Sequence, residues 1–223
     1  MTEKPKKSER ERRIPKFRRR AEARPNEVLD AALDLFIEQG FAATRVEDIA
    51  KRAGLSKGAV YLYFPSKEAL FEGLVKRGVA PFAQHALDMV VQFQGHPRVA
   101  LSAVMSMMAI KIGDARVSAI PKLILREGVR FPELAQMYRR EVLEKVLPVL
   151  TALIATGIEN GHLRDVDPEL TVRSIVGPLL THLLLAEVFQ IVPEGGMAPD
   201  RLIENHLTIL FDGLSAPAKE EQA

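Results

Sequence analysis

Apolar residues recur along most of this chain at intervals of three and four positions, which places them on one side of an α-helix. Runs in which β-branched and polar residues alternate, as they do in half-buried strands, are missing. The pattern predicts an all-α protein with helices at about residues 26–39, 44–52, 56–64, 66–93, 97–112, 116–127, 133–160, 168–190 and 200–214. Pro121 and Pro178 are expected to kink or break two of these helices.

The first four helices carry start and stop signals. Gly40 is expected to end the first helix with a left-handed residue. Thr44 and Glu47 have the spacing of a capping box, which predicts that they begin the second helix together. Ser56 and Ser66 are residues that cap helices, so they are predicted to begin the third helix and a long fourth one.

The second and third helices have the spacing of two helices that cross through a tight turn. Ala50 is small where the helices approach, Gly54 suits the turn, and Val60 fills the joint from the third helix. With Val60 packed inward, Lys57 and Tyr61 face outward. The third helix is therefore predicted to present an exposed face of the kind that enters the major groove of DNA.

Gly58 supports this interpretation. A glycine within a helix costs about 1 kcal/mol relative to alanine, so its presence suggests that another molecule approaches the backbone closely. The helix starts at Thr44 and Ser66 also direct free N–H groups outward, which suits the binding of phosphate.

The segment from Glu27 to Val75 resembles the N-terminal domain of the TetR family of transcription regulators. The resemblance rests on the Gly-Phe-Ala-Ala-Thr turn at 40–44 and on the Gly-Ala-Val-Tyr-Leu-Tyr-Phe-Pro-Ser-Lys-Glu sequence at 58–68. It implies a three-helix helix-turn-helix domain joined by a long helix to a C-terminal helical bundle. We therefore expect a basic, flexible arm at 1–24, a DNA-binding domain at 25–77, an effector-binding and dimerisation domain at 78–216, and a tail at 217–223.

The resemblance also implies which residues contact DNA. The positions that hold phosphates in the family correspond here to Thr44, Tyr63 and Lys67. The positions at or near base edges correspond to Arg45, Ser56, Lys57, Gly58, Ala59 and Tyr61. Thr44 could equally act only as a helix cap, and Tyr61 could be an ordinary surface aromatic residue.

The charge of the chain is unevenly distributed. Residues 1–24 hold eleven Lys or Arg and four Glu, a net charge of +7, which leaves −5 on residues 25–223. Basic arms bind polyanions, of which nucleic acid comes first and a membrane surface second. We expect this arm to follow the phosphate backbone or to enter a minor groove. The alternative is a solubilising tail.

The C-terminal part resembles the family only in its helical architecture, which in the family contains an effector cavity. We expect an apolar effector pocket lined by Met105, Met108, Ile112, Arg126, Phe131, Tyr138 and His182. Flexible methionines suit an adaptable cavity, and a histidine among leucines could orient a ligand. Each of these residues could instead belong to an ordinary core, with His182 hydrogen-bonded inside it.

The last two helices are expected to form a homodimer. The sequence from Leu179 to Val192 is apolar on nearly every side, and residues 202–214 carry an apolar stripe. Two such helices and their symmetry mates would form a four-helix interface. The resulting dimer would present two reading helices to double-stranded DNA with a roughly palindromic operator.

Other classes of function are disfavoured. The sequence lacks a phosphate-binding glycine loop, a His-Glu-x-x-His pair and a serine nucleophile elbow, so we expect no catalytic residues, metal or cofactor. The absence of cysteine and of an apolar signal segment favours the cytoplasm. Pro178, His182 and Glu187 interrupt the most apolar run, so no membrane span is expected.

The sequence thus predicts a sequence-specific DNA-binding regulator, namely a repressor that is released by a small, largely apolar effector. By analogy with the family, the effector would shift the fourth helix and change the separation of the two reading helices. The alternative is a ligand-independent architectural or protein-recruiting DNA-binding protein.

Overall fold

The computed structural model describes residues 16–93 and 95–214, with side chains from residue 24 onward. Every regular element in these ranges is a helix, which confirms the predicted all-α class. A π-helical turn, Arg139–Leu143, joins α8 to α9. The helices are α1 (Lys16–Ala43), α2 (Val46–Arg52), α3 (Lys57–Tyr63), α4 (Lys67–Gly78), α5 (Ala80–Gln92), α6 (Pro97–Gly113), α7 (Ala115–Glu127), α8 (Pro132–Tyr138), α9 (Glu144–Glu159), α10 (Pro168–Glu187) and α11 (Pro199–Leu214).

The first helix is longer than predicted. It begins at Lys16, so residues 16–24 of the predicted flexible arm are helical, and Pro25 lies inside the helix. The sequence of residues 16–24 is rich in Lys, Arg, Ala and Glu, which are strong helix formers. Residues 1–15 of the arm and the predicted tail at 217–223 lie outside the described residues.

The long fourth helix predicted from the sequence is divided in two. The helices α4 and α5 meet at Val79, two residues before Pro81. Because proline has no backbone N–H, Pro81 cannot donate a helical hydrogen bond to the carbonyl of Arg77. Pro121 and Pro178, in contrast, lie inside α7 and α10, and neither helix is broken.

The predicted capping box at the start of α2 is wrong. The N-cap residue is Arg45, whose side chain makes no capping hydrogen bond. The Thr44 hydroxyl instead donates to the carbonyl of Gly40, at 2.7 Å. Gly40 has φ +82° and ψ 165°, which interrupts the end of α1 and turns the chain so that Thr44 points inward.

Two main cores hold the helices together. The first lies among α1 to α4, α7 and α8, and its centre is an aromatic cluster in which the ring of Phe41 lies 5.2 Å from Phe36 and 5.1 Å from Phe131. The second joins α6 and α9 to α10 and α11, around Leu101 and Ile154. The N-terminal helices therefore share one core with α7 and α8 and do not form a separate unit.

The helix α10 is long and apolar enough, by length and composition alone, to cross a membrane. In the structure, however, Val172, Ile175 and Leu179 are buried in the second core, and Leu183 is buried as well. One apolar face of α10 therefore packs into the second core.

Candidate nucleic-acid interface

The helices α2 and α3 cross as the spacing of their small and apolar residues predicts. Ala50 and Val60 are buried, with 2% and 0% of their surfaces exposed. Gly54 has φ +66°, a conformation that glycine adopts at little cost, and the N–H of Leu55 donates to the carbonyl of Ala50 at 2.9 Å. The tight turn fixes α3 with Val60 inward and its opposite side in solvent.

The start of α3 is held by a cap and an ion pair. The Ser56 hydroxyl oxygen accepts a hydrogen bond from the N–H of Ala59 at 3.2 Å. The Lys57 ammonium pairs with the Glu47 carboxylate on α2 and lies 5.7 Å from the centre of the Tyr61 ring. Their hydrogen bond raises the pKa of Lys57 and lowers that of Glu47. Since both side chains are half exposed, the pair is weak, and the Lys57 ammonium can exchange Glu47 for another acceptor at little cost.

Gly58 is not required by the packing of α3 within the protein. A Cβ atom added at this exposed residue would have no described atom of the protein within 4 Å. No contact in the described part of the chain therefore requires a glycine at position 58, and the missing side chain leaves the backbone of α3 open to close approach.

Replacing Gly58 with alanine is expected to stabilise the fold and weaken DNA binding at once. The free energy of unfolding should rise by up to about 1 kcal/mol because alanine favours the helix. The added methyl group should lower operator affinity by about tenfold because it separates α3 from the DNA. Urea unfolding measures the change in stability, and fluorescence anisotropy with labelled operator DNA measures the change in affinity. The control is Gly213→Ala on α11, another helical glycine with open space around it, which should leave DNA binding unchanged. Unchanged operator affinity of Gly58→Ala would contradict this interpretation.

Thr44 does not reach the surface. Only 2% of it is exposed, and its hydroxyl lies 2.7 Å from the carbonyl of Gly40 and 3.3 Å from that of Leu35. The phosphate contact expected of Thr44 from the family resemblance is therefore corrected to a structural role at the end of α1.

Lys67 has the same kind of role. Its ammonium lies 2.6 Å from the carbonyl oxygen of Phe41, 3.3 Å from that of Ala42 and 3.2 Å from that of Thr44. It also lies 4.4 Å from the centre of the Phe41 ring. An ammonium group has three donors, so these carbonyls use all of them. Partial burial lowers the pKa of Lys67. The expected phosphate contact is replaced by a cap on the carbonyl end of α1.

The other predicted DNA contacts lie together at the exposed edge of α2 and α3. Arg45, Tyr61 and Tyr63 are exposed, and Ala59 is half buried beside Ser56. The sequence analysis missed Leu62, which is 85% exposed on the same helix. Its position two residues after the buried Val60 is the signal that could have identified it, since that spacing places it on the opposite side of the helix.

The helix α7 contacts α1 at both of its ends. Near its start, the Arg116 guanidinium lies 2.8 Å from the Asp34 carboxylate and 2.9 Å from that of Asp30. At its end, a carboxylate oxygen of Glu127 accepts a hydrogen bond from the N–H of Phe41 at 3.2 Å. In between, Lys122 pairs with Glu187 of α10 at 2.6 Å. The helix α7 therefore connects α1, against which α2 packs, to α10.

The structure does not bring the predicted effector residues into one pocket. Those on α6 pack in or against the second core, those on or next to α8 pack against the first, and Arg126 is exposed. The residues concerned are Met105, Met108 and Ile112 in the second core, and Phe131 and Tyr138 at the first. The prediction is corrected because α6 and α8 pack into different cores.

Two of these residues have interactions of a structural kind. Burial raises the pKa of Tyr138 to about 12. The Nε2 atom of His182 lies 2.5 Å from the carbonyl oxygen of Met197 and holds the segment before α11. This matches the hydrogen-bonded role that the sequence left open for His182.

An open groove of about 780 Å³ lies between α9 and the start of α10. Its walls are mainly apolar, and none of the seven predicted effector residues lines it. The lining includes Leu147, Thr151, Val172 and Arg173. Across the described part of the chain, no three His, Asp or Glu side chains are grouped so that they could hold a metal ion.

The apolar stripe of α11 points into its own chain. Ile203, His206 and Phe211 are buried, and the Nε2 atom of His206 lies 3.0 Å from the carbonyl oxygen of Ile175. The expectation that α11 offers this stripe to a second copy is therefore wrong. A run of exposed large apolar residues lies on and just after the last two turns of α10, and we call the following five the α10 apolar face: Leu180, Leu184, Leu185, Val188 and Phe189.

Comparison with known proteins identifies the family. Residues 28–74 match the model for bacterial regulatory proteins of the tetR family, and residues 93–189 match a tetracyclin repressor-like C-terminal domain. The chain is 31% identical over 201 residues to the HTH-type transcriptional repressor KstR2 of Rhodococcus jostii (strain RHA1), an alignment that covers 87% of this chain and 92% of that protein. The chain belongs to the TetR family.

Solved structures of TetR regulators have the same fold. A complex of SmeT, from Stenotrophomonas maltophilia, with triclosan has a TM-score of 0.75 at 26% identity, covering 88% of this chain and 93% of that one. FadR from Bacillus subtilis in complex with stearoyl-CoA has a TM-score of 0.70 at 25% identity, covering 84% and 98%. These relatives are regulators rather than enzymes. The predicted helix-turn-helix and the role of this TetR family member as a DNA-binding transcription regulator are confirmed.

Proposed function

We propose that the chain is a homodimeric cytoplasmic repressor that binds a roughly palindromic operator through the outward face of α3. The observation that carries the proposal is the exposed face of α3, where the described residues place no atom within 4 Å of a Cβ added at Gly58. In this arrangement the base edges meet Arg45, Ser56, Lys57, Gly58, Ala59 and Tyr61, while Tyr63 contacts a phosphate. Thr44 and Lys67 act behind this face by holding the end of α1.

The α10 apolar face supports a two-fold dimer. Its five residues form part of a larger exposed apolar surface that continues into Ile191 and Val192. Large exposed apolar patches with a polar rim mark interaction sites. Contact of this face with its symmetry mate buries it and gives the molecule two copies of α3 related by a two-fold axis.

Selection of bound sites from random double-stranded DNA by the full chain tests this proposal. We expect an inverted repeat whose half-sites are about 34–36 Å apart, or a multiple of that distance. Enrichment of a single unrepeated motif would contradict the two-fold arrangement, and the absence of any enriched motif would contradict sequence-specific binding.

We further propose that a small, largely apolar effector releases the protein from its operator. The triclosan complex of SmeT and the stearoyl-CoA complex of FadR support this class of ligand. The groove between α9 and α10 has a volume in the range of about 300–1,000 Å³ that is usual for ligand sites. Triclosan and stearoyl-CoA serve as probes: one that binds the free conformation in preference to the DNA-bound one must both raise the melting temperature and weaken operator binding.

The contacts of α7 with α1 and α10 offer a route by which effector binding can change operator binding. They replace the long fourth helix expected from the sequence, which the structure divides into α4 and α5. Arg116→Ala is expected to loosen the orientation of the DNA-reading helices with little loss of stability, since exposed ion pairs contribute only about 0.2–1 kcal/mol each. The measurement uses operators whose half-sites are one base pair closer or farther apart. The natural chain should lose about tenfold in affinity on these probes, and the variant should lose less. Arg173→Ala, which breaks an exposed pair with Glu169 on α10, is the control. Equal losses for all three proteins would contradict a role for Arg116.

A ligand-independent architectural or protein-recruiting function is the second candidate. The placement of five of the seven predicted effector residues in or against two separate cores favours it. It predicts that no apolar probe changes the melting temperature and the operator affinity together.

A further inference from the structure

Leu62 occupies the centre of the exposed face of α3. It is 85% exposed, whereas its neighbours Tyr61 and Tyr63 are 41% and 38% exposed. Each residue of an α-helix is turned by about 100° from the one before it, so Leu62 lies about 200° from the buried Val60. Gly58, four residues earlier, lies on the same outward line. The most protruding part of α3 is therefore one leucine beside a position that has no side chain.

A single exposed leucine on an ordinary surface needs no explanation. Leu62, however, lies on the surface that is proposed to face DNA, and Gly58 allows the backbone beside it to come close. A leucine brought against a polar base edge would remove water from that edge without offering a hydrogen bond in return, which is unfavourable. The apolar group that the major groove presents is the C5-methyl group of thymine.

We propose that Leu62 contacts the C5-methyl group of a thymine in each half-site and thereby selects thymine at that position. The proposal rests on the proposed DNA-binding function. Polar side chains recognise bases through hydrogen bonds, whereas a leucine can distinguish them only through apolar contact. The proposal therefore gives Leu62 a separate part in the recognition of the operator sequence. The flanking Lys57 and Tyr61 remain available for polar and aromatic contacts on either side.

Deoxyuridine substitution tests this contact directly, because it removes the methyl group and leaves the base pair intact. In the selected operator, each thymine is replaced in turn by deoxyuridine, at the same position in both half-sites. At one position the natural chain should bind about fourfold more weakly per half-site, which corresponds to the burial of one methyl group. Leu62→Ala should bind the thymine operator more weakly than the natural chain does. It should bind the thymine and deoxyuridine operators equally.

Val129→Ala is the matched control, since Val129 is 95% exposed in the turn after α7. It should keep the thymine preference of the natural chain. The exposure of Leu62 means that Leu62→Ala should unfold at the same temperature as the natural chain. The proposal is overturned if no thymine shows the effect, or if Leu62→Ala keeps the preference. A natural chain that selects no motif would instead refute the proposed sequence-specific operator binding through α3, and this inference with it.

Discussion

Replacement of Leu184 by glutamate is expected to convert the protein into monomers and to lower operator affinity by about a hundredfold or more. Leu184 lies in the middle of the α10 apolar face, and a charge there would have to be buried without a partner in the dimer. A monomer binds only one half-site at a time, so it loses the gain of about 10²–10⁴ that linked binding provides. Light scattering measures the mass, and anisotropy with the selected operator measures the affinity.

The fold of the monomer should survive this change because Leu184 is partly exposed and does not lie among the buried residues of either core. Val91→Glu on α5 is the control, since Val91 is also exposed and apolar but lies outside the α10 apolar face. It should remain dimeric and bind DNA as the natural chain does. A Leu184→Glu variant that still has twice the mass of one chain would show that the dimer uses another surface.

Replacement of Lys67 by methionine is expected to lower the free energy of unfolding by about 1.5–3 kcal/mol, the range for hydrogen bonds to a charged group. The three carbonyl groups at the end of α1 lose their donor, while the methionine stem still covers the Phe41 ring. Urea unfolding measures the change. The slope of the logarithm of operator affinity against the logarithm of salt concentration should stay the same, because Lys67 is not expected to contact a phosphate. Each phosphate contact that is lost would reduce the magnitude of this slope by about 0.9.

Lys76→Met separates these effects from a general loss of charge. Lys76 is an exposed lysine of α4 that pairs with Glu72 one turn away, so its replacement should change stability by less than about 0.5 kcal/mol. A Lys67→Met variant with natural stability and a reduced salt slope would show that Lys67 binds phosphate, as the family resemblance implied.

The local features of the DNA-reading unit were predicted well from the sequence. The positions of Ala50, Gly54 and Val60 behave as expected, and Ser56 caps α3. These features depend on interactions between residues only a few positions apart, so spacing and residue type contain most of the information. The helix boundaries for α6, α7 and α11 were also close to those observed.

Apart from the local capping box at Thr44 and the division of the fourth helix near Pro81, the failures involve contacts between residues that are distant in the sequence. Lys67 meets carbonyl groups 23 to 26 positions earlier, and no periodic pattern shows that the start of α4 packs against the end of α1. Similarly, α6 and α8 each carry apolar residues, but only their packing shows that they belong to different cores. The apolar stripe of a helix does not indicate which neighbouring helix packs against it.

The sequence by itself therefore determined the all-α class, the crossing of α2 and α3 and the outward direction of α3, because helix period, caps and turn residues act locally. The tertiary structure decided the rest. In the folded chain Thr44 is buried, and the ammonium of Lys67 donates to carbonyl groups at and just after the end of α1. The proposed DNA contacts therefore exclude these two residues and add Leu62 on α3. The tertiary structure also turned the stripe of α11 inward and left the α10 apolar face exposed, since burial depends on which helices meet.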